Sequence, residues 1–101
     1  MLKKIYERGA VTFETEARKA GDDLYEWKVA MRSKDVNRGV RAVEYILHPT
    51  FPDRIQTRTS PDDGFALESA GWGEFDIVAN VYFEDGDEQT AIVPLKLEQK
   101  T

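Results

Sequence analysis

Residues 75–83 of this chain read Phe-Asp-Ile-Val-Ala-Asn-Val-Tyr-Phe. The odd-numbered positions of this stretch are all apolar, and most of the even-numbered ones are polar or amphipathic. A β-strand directs successive side chains to opposite faces, so this alternation predicts a strand with one face in a core and the other towards solvent. We expect residues 75–83 to form the longest strand of an all-β protein.

The same period of two recurs on both sides of this stretch. It predicts further strands at residues 11–16, 27–32, 40–47, 65–69 and 91–97, with turns at 60–64 and 84–88 and only a weak helical stretch at the start of the chain. Pro94 lacks a backbone N–H, so its strand is expected at a sheet edge or a bulge. About seven or eight short antiparallel strands separated by turns favour an immunoglobulin-like β-sandwich.

The composition restricts the class of protein. The chain has 101 residues, 41% of them hydrophobic and 33% charged, which is typical of a single globular domain spanning residues 1–101. It has no cysteine, which excludes a disulfide framework, a thiolate zinc site and a cysteine nucleophile. The sequence contains no apolar run of membrane-spanning length, so we expect no membrane partner and a cytoplasmic location. The net charge of −5 argues against a nucleic-acid partner and favours a basic one.

Few residues of the sequence are suited to catalysis or to metal binding. His48 is the single histidine, and no serine or carboxylate stands in a spacing that would complete a triad with it. The acidic turns at 62–63 and 85–88 do not match the twelve-residue calcium loop. Glu74 and Asp76 are two apart, like a glycosidase pair on one strand face, but they lack a surrounding aromatic groove. We therefore predict a non-enzymatic protein without catalytic residues, metal or cofactor.

Two short segments are candidates for a binding site. Trp72 stands between Gly71 and Gly73, and glycines permit unusual φ values and close approach of a ligand to the backbone. Trp72 either forms a wall of a site or folds inward and closes the end of the sandwich. His48 precedes Pro49 at a strand end, where its ring either caps nearby backbone or takes part in binding. Both pairs of interpretations stay open at this point.

Three stretches carry a resemblance to a known family. They read Val43-x-Tyr45-x-Leu47-His48-Pro49-Thr50-Phe51-Pro52, Gly71-Trp72-Gly73-Glu74-Phe75-Asp76-Ile77 and Tyr82-Phe83. In this order they resemble a YEATS domain, and Trp27 is similar to the tryptophan of that family's early strand. The resemblance spans residues 27–83, more than half of the chain, and it implies an immunoglobulin-like sandwich that agrees with the strand pattern.

The resemblance also implies a function and a site. YEATS domains read acylated lysine, chiefly acetyl-lysine and crotonyl-lysine, in a channel formed by loops at one end of the sheets. By likeness, the Thr50 hydroxyl accepts the acyl-amide N–H and is supported by His48, while the backbone N–H of Trp72, with that of Gly73, donates to the acyl carbonyl. Phe51 and Trp72 would enclose the planar amide. The ligand-binding residues predicted in this way are His48, Thr50, Phe51, Gly71, Trp72 and Gly73.

Two positions depart from the family pattern. Asp23 stands near a position where the family's first loop usually brings an aromatic residue, and Pro49 replaces an acidic or polar residue. The compact chain is most similar to the prokaryotic branch of the family. The alternative function is that of an immunoglobulin-like structural or protein-protein interaction domain of a bacterial signalling or defence protein, without acyl-lysine binding. The sequence leaves the oligomeric state open.

Overall fold

The computed structural model of the protein describes residues 2–32 and 39–97. Within these residues the chain forms eight β-strands and one 3-10 turn. In chain order the strands are β1 (Leu2–Arg8), β2 (Val11–Gly21), β3 (Leu24–Met31), β4 (Val40–Ile46), β5 (Ile55–Arg58), β6 (Leu67–Gly71), β7 (Phe75–Phe83) and β8 (Glu88–Leu95), and the 3-10 turn is Pro61–Asp63.

The strands form two four-stranded antiparallel sheets. The first sheet has the strand order β1-β2-β3-β6, and the second has the order β5-β4-β7-β8. Alternate residues of each central strand lie in the core between the sheets, including Phe13, Val29, Tyr45 and Ile77. The predicted all-β sandwich of antiparallel strands is therefore confirmed.

Several predictions about individual elements are wrong. Residues 2–8 form the edge strand β1 instead of a weak helix, and residues 55–58, for which no strand was predicted, form the short strand β5. The longest strand is β2, with 11 residues against 9 for β7. The strand expected at 65–69 lies at Leu67–Gly71. Pro94 does lie in an edge strand, as its missing N–H requires.

The strand β6 starts late because the chain makes a sharp turn at Gly64 and Phe65. Both residues have positive φ values, 74° and 56°. A Cβ atom on Gly64 would collide with the carbonyl oxygen of Met31, so only glycine fits at this position. Phe65 is fully buried, and a positive φ is uncommon for so large a residue. The Tyr45 hydroxyl donates a hydrogen bond of 2.8 Å to the Phe65 carbonyl and holds this turn against the second sheet.

Replacing Tyr45 tests that hydrogen bond. Tyr45→Phe leaves a buried carbonyl without its partner, and we expect the free energy of unfolding to fall by about 1–3 kcal/mol.

Burial also raises the pKa of Tyr45 above its ordinary value of 10.0. The unfolded chain then loses this proton before the folded chain does, so the wild-type protein loses stability as the pH rises above 10. Urea unfolding at pH 8 and pH 11 checks both effects: the decline between these pH values is smaller in Tyr45→Phe. An equal decline in the two proteins would contradict the assignment.

Candidate functional site

A cleft of about 440 Å³ lies at one end of the sandwich, where the loop between β4 and β5 approaches the loop between β6 and β7. Its walls come from two segments of the chain. The first contributes His48, Thr50, Phe51 and Pro52, and the second contributes Ala70, Gly71, Trp72, Gly73, Glu74 and Phe75. The structure thus brings together all six residues predicted from the sequence. The volume falls within the range of small-ligand sites, roughly 300–1,000 Å³. The sequence analysis missed Pro52, Ala70, Glu74 and Phe75 as members of these walls.

The first wall begins with a tight β-turn. The Phe51 N–H donates a hydrogen bond of 3.0 Å to the His48 carbonyl, which closes a turn over residues 48–51. Pro49 occupies the second position of this turn, where its fixed φ is favourable. Pro49 is exposed and does not enter the cleft. The departure from the family pattern at this position is therefore compatible with an open site.

The His48 ring fixes the orientation of the Thr50 hydroxyl. The Thr50 backbone N–H donates to His48 Nδ1 at 3.2 Å, so Nδ1 is an acceptor and the ring proton belongs to Nε2. The Thr50 Oγ1 atom lies 3.0 Å from the same Nδ1, and in this tautomer the hydroxyl donates to it. The lone pairs of Thr50 Oγ1 are then directed away from His48. Thr50 can accept a hydrogen bond from a ligand N–H.

Aromatic packing positions the Phe51 ring. Its centroid lies 5.4 Å from that of Phe75 and 6.3 Å from that of Trp27, with interplanar angles of 54° and 86°. Trp27 and Phe75 also contact each other, with centroids 6.0 Å apart. The His48 ring lies 6.1 Å from Phe75. Phe51 is therefore anchored to the core while it lines the cleft.

Trp72 forms the outer wall of the cleft. Its side chain is 79% exposed, which excludes the interpretation that it folds inward and fills the end of the sandwich. Outside the strand ladders of residues 2–32 and 39–97, its N–H makes no backbone hydrogen bond. Trp72 therefore brings both an aromatic ring and a peptide N–H to the residues that line the cleft.

The glycines beside Trp72 act differently from the expectation. Neither Gly71 nor Gly73 has a positive φ. A Cβ atom at Gly71 would lie 3.8 Å from Phe51 Cζ, and one at Gly73 would meet nothing within 4 Å. The backbone conformation does not require these glycines. A Cβ atom at Gly71 would reach ordinary contact with Phe51, so only Gly71 leaves additional room on that side of the cleft.

The loop that carries Trp72 is tied to the segment after β8. Glu74 Oε2 accepts a hydrogen bond of 2.7 Å from the Leu97 N–H, and Leu97 belongs to the core cluster. The Glu74 carboxylate is therefore used to hold the loop. The described part of the chain holds no group of three or more histidine or acidic side chains placed to bind a metal ion.

The β2–β3 turn lies at the same end of the sandwich but contributes nothing to the cleft walls. Asp23 has a φ of 57°, a conformation that aspartate tolerates in tight turns. Tyr25 is buried in the core. The aromatic residue that the family resemblance led us to expect near Asp23 has no counterpart among the residues lining the cleft.

The fold and the cleft together define a β-sandwich module with a ligand-sized site made by loops at one end. The sequence model of the prokaryotic YEATS domain family matches residues 25–96, and the chain belongs to this family. The Protein AF-9 homolog of Candida glabrata is 30% identical, with 87% of this chain and 45% of that protein covered. The Saccharomyces cerevisiae homolog is 34% identical, with 62% of this chain and 29% of that protein covered.

Solved structures agree with this assignment. The Yaf9 YEATS domain bound to H3K27ac has a TM-score of 0.76 and 22% identity, covering 98% of this chain and 75% of that one. The Yaf9 YEATS domain recognizing an H3K122suc peptide has a TM-score of 0.73 and 25% identity, covering 95% of this chain and 73% of that one.

The present chain spans less than half the length of the curated relatives named above. In residues 2–32 and 39–97, no helix has the length and apolar character needed to cross a membrane.

Replacing Glu74 tests how the Trp72 loop is held. Glu74→Ala removes the acceptor of the Leu97 N–H, and we expect the free energy of unfolding to fall by about 1–2 kcal/mol. Amide hydrogen exchange at Leu97 should become at least fivefold faster. Glu74→Gln is the matched control, because its amide oxygen can still accept the bond. Equal exchange rates at Leu97 in the wild type and in Glu74→Ala would show that the bond does not hold the loop.

Proposed function

We propose that this chain is a non-enzymatic module that binds an acylated lysine, with acetyl-lysine and crotonyl-lysine as the expected ligands. The observation that carries the proposal is the arrangement within the cleft. Thr50, whose hydroxyl can accept a hydrogen bond, and Trp72, whose N–H can donate one, line the same cleft as Phe51. A flat neutral amide presents one donor, one acceptor and two faces, and each has a counterpart in this cleft.

Each group of the amide is assigned a partner in this proposal. The amide N–H donates to Thr50 Oγ1, and the acyl carbonyl accepts from the Trp72 N–H, with Gly73 beside it. The Phe51 and Trp72 rings pack against the amide plane. Two hydrogen bonds at about 1 kcal/mol each and two ring contacts at about 0.5–1.5 kcal/mol each supply about 3–5 kcal/mol before the cost of ordering. With partial burial of the alkyl stem, the cleft by itself therefore gives weak affinity, in about the millimolar range.

Discrimination against unmodified lysine follows from the same groups. An ammonium is attracted to aromatic faces, so the rings alone do not exclude it. However, an ammonium has no acceptor for the Trp72 N–H, and moving its charge out of water is costly. The peptide donor therefore provides the selectivity for an acyl group.

The comparisons and the open cleft support this proposal over the alternative. The Yaf9 domain, which shares the fold, is described as bound to H3K27ac and as recognizing an H3K122suc peptide. A Trp72 ring packed inward would have favoured the alternative of a structural or protein-protein interaction domain, and the ring is instead exposed. A cytoplasmic location and a function without catalysis stay predictions from the sequence.

Titration with acyl-lysine peptides tests the function. In ¹⁵N-labelled protein we expect acetyl-lysine and crotonyl-lysine peptides to shift the amides of Thr50 and Trp72, with no comparable effect from the plain-lysine peptide. Trp72→Ala should lose these shifts while its stability changes by less than about 0.5 kcal/mol, because the ring is exposed. Ile5→Ala is the matched control, since Ile5 is 51% exposed and lies on β1. Identical shifts with plain lysine would refute the proposal.

The Thr50 hydroxyl has a separate test. Thr50→Val keeps the side-chain shape and the backbone bond to His48 but leaves the bound amide N–H without an acceptor. We expect roughly tenfold weaker binding, since such a loss costs about 1–3 kcal/mol. Thr50→Ser retains the hydroxyl and should bind within about threefold of the wild type. Calorimetry with a crotonyl-lysine peptide measures both variants, and undiminished affinity of Thr50→Val would exclude the assigned hydrogen bond.

A further inference from the structure

A row of four aliphatic side chains crosses the outer face of the second sheet. Ile46 on β4 pairs with Ile55 on β5 and with Val78 on β7, and Val78 pairs with Ile92 on β8. These four residues are called the aliphatic row below. Ile55 and Ile92 are 55% and 53% exposed, and the other two side chains are partly exposed.

The core of the sandwich does not use the aliphatic row. The inward residues of β4 and β7 are the alternate ones, among them Val43, Tyr45, Ile77 and Ala79, and all of these are buried. The row therefore faces away from the first sheet. The solvated face of an antiparallel sheet is normally polar.

Strand propensity alone does not account for the row. The neighbouring row on the same face consists of Thr57, Glu44, Asn80 and Thr90. Its members are linked by hydrogen bonds: Asn80 Nδ2 donates to Glu44 Oε1 at 3.0 Å, and Thr90 Oγ1 donates to Asn80 Oδ1 at 2.7 Å. This sheet thus forms equally well with a polar row. The aliphatic side chains are confined to one level along the four strands, and formation of the sheet does not require them there.

The dimensions of the row match those of an α-helix. Neighbouring strands lie about 4.8 Å apart, so four strands place the row over about 14 Å. A helix advances about 5.4 Å per turn, and side chains at i, i+4, i+7 and i+11 lie along one face. An amphipathic helix of three turns can therefore lie across the strands with one aliphatic side chain near each member of the row.

The charge beside the row is negative on balance. The same-face neighbours of the row within the strands include two carboxylates, and these neighbours are Glu44, Thr57, Asp76, Asn80, Thr90 and Pro94. One cation lies at the edge of the row, where Arg8 Nε donates a hydrogen bond of 3.0 Å to the Ile92 carbonyl. The whole chain carries a net charge of −5. The complementary partner surface is aliphatic along its centre and positive at its flanks.

We infer that the outer face of the second sheet docks an amphipathic α-helix of a partner protein, with aliphatic residues along the helix face and Lys or Arg beside them. This surface is separate from the cleft, and the inference does not depend on acyl-lysine binding. A second copy of the chain is a poorer occupant, because two such faces would bring Glu44 and Asp76 against their own counterparts. An anionic membrane surface is disfavoured by the same two carboxylates.

A designed peptide tests the docking surface. The probe is an 18-residue helical peptide with leucine at i, i+4, i+7 and i+11 and lysine on both flanks. A second peptide has glutamate in place of the lysines. In ¹⁵N-labelled protein we expect the lysine peptide to shift the amides of Ile46, Val78 and Ile92 while those of Thr50 and Trp72 stay in place. We expect the glutamate peptide to bind at least tenfold more weakly.

Variants of the row locate the binding. Val78→Thr combined with Ile92→Thr keeps β-branched side chains, so the sheet should form, and we expect at least tenfold weaker binding of the lysine peptide. Asp76→Lys, an exposed position beside the row, should weaken binding severalfold through charge alone. Ile5→Thr is the matched control, because it makes the same substitution at an equally exposed position of β1 and should bind as the wild type does.

Three outcomes would overturn the inference. The first is an absence of shifts with the lysine peptide at millimolar concentration. The second is equal binding of that peptide by the wild type and by the double variant. The third is a dimer in sedimentation velocity that dissociates in the double variant, which would make this face an interface between two copies of the chain.

Discussion

The site depends on the packing of Trp27 against Phe51 and Phe75. Trp27 belongs to the first sheet, Phe75 begins a strand of the second, and Phe51 belongs to a loop, so the three rings join both sheets to one wall of the cleft. Trp27 Nε1 is buried without a hydrogen-bond partner among the described residues, which costs about 1–3 kcal/mol. The apolar area that such rings bury, roughly 150–250 Å² each, offsets this cost. Core packing thus places the wall of the cleft.

How far the fold could be predicted depended on burial. β7 alternates clearly because one of its faces lies in the core, and β3 and β4 do so for the same reason. β1 lies at a sheet edge and has no fully buried residue, so burial imposes no period on its sequence and a weak helix was predicted instead. β5 has four residues, too few to show a period, and forms through its pairing with β4. Both strands form by pairing with the strand next to them in the sequence, β1 with β2 and β5 with β4, and not through a period of their own.

The site residues were recognised from motifs, whereas their physical roles needed the three-dimensional arrangement. The sequence left open whether Trp72 points inward, because that depends on whether another ring fills the end of the core, and Trp27 does so. The glycines suggested unusual φ values, but neither Gly71 nor Gly73 has a positive φ, and a Cβ atom at Gly71 would only reach ordinary contact with Phe51. Phe75 was assigned only to a strand, and its part in the cleft arises because the first inward position of β7 lies at the sheet end that carries the loops.

The two aromatic walls of the cleft are held to different degrees, and this difference bears on binding. Phe51 is held by Trp27 and Phe75. Its side chain therefore loses little conformational freedom when a ligand stacks on it. The Trp72 ring is exposed, yet Gly71 on one side pairs with Tyr25 and Glu74 on the other is bonded to Leu97. The backbone is therefore held, and the proposed binding needs to order only the two side-chain torsions of Trp72, at about 0.5–1.5 kcal/mol. This cost is comparable with the gain from one ring contact. In the proposed mode of binding, the peptide donor beside the ring and the Thr50 oxygen therefore provide the discrimination, while the rings provide the shape.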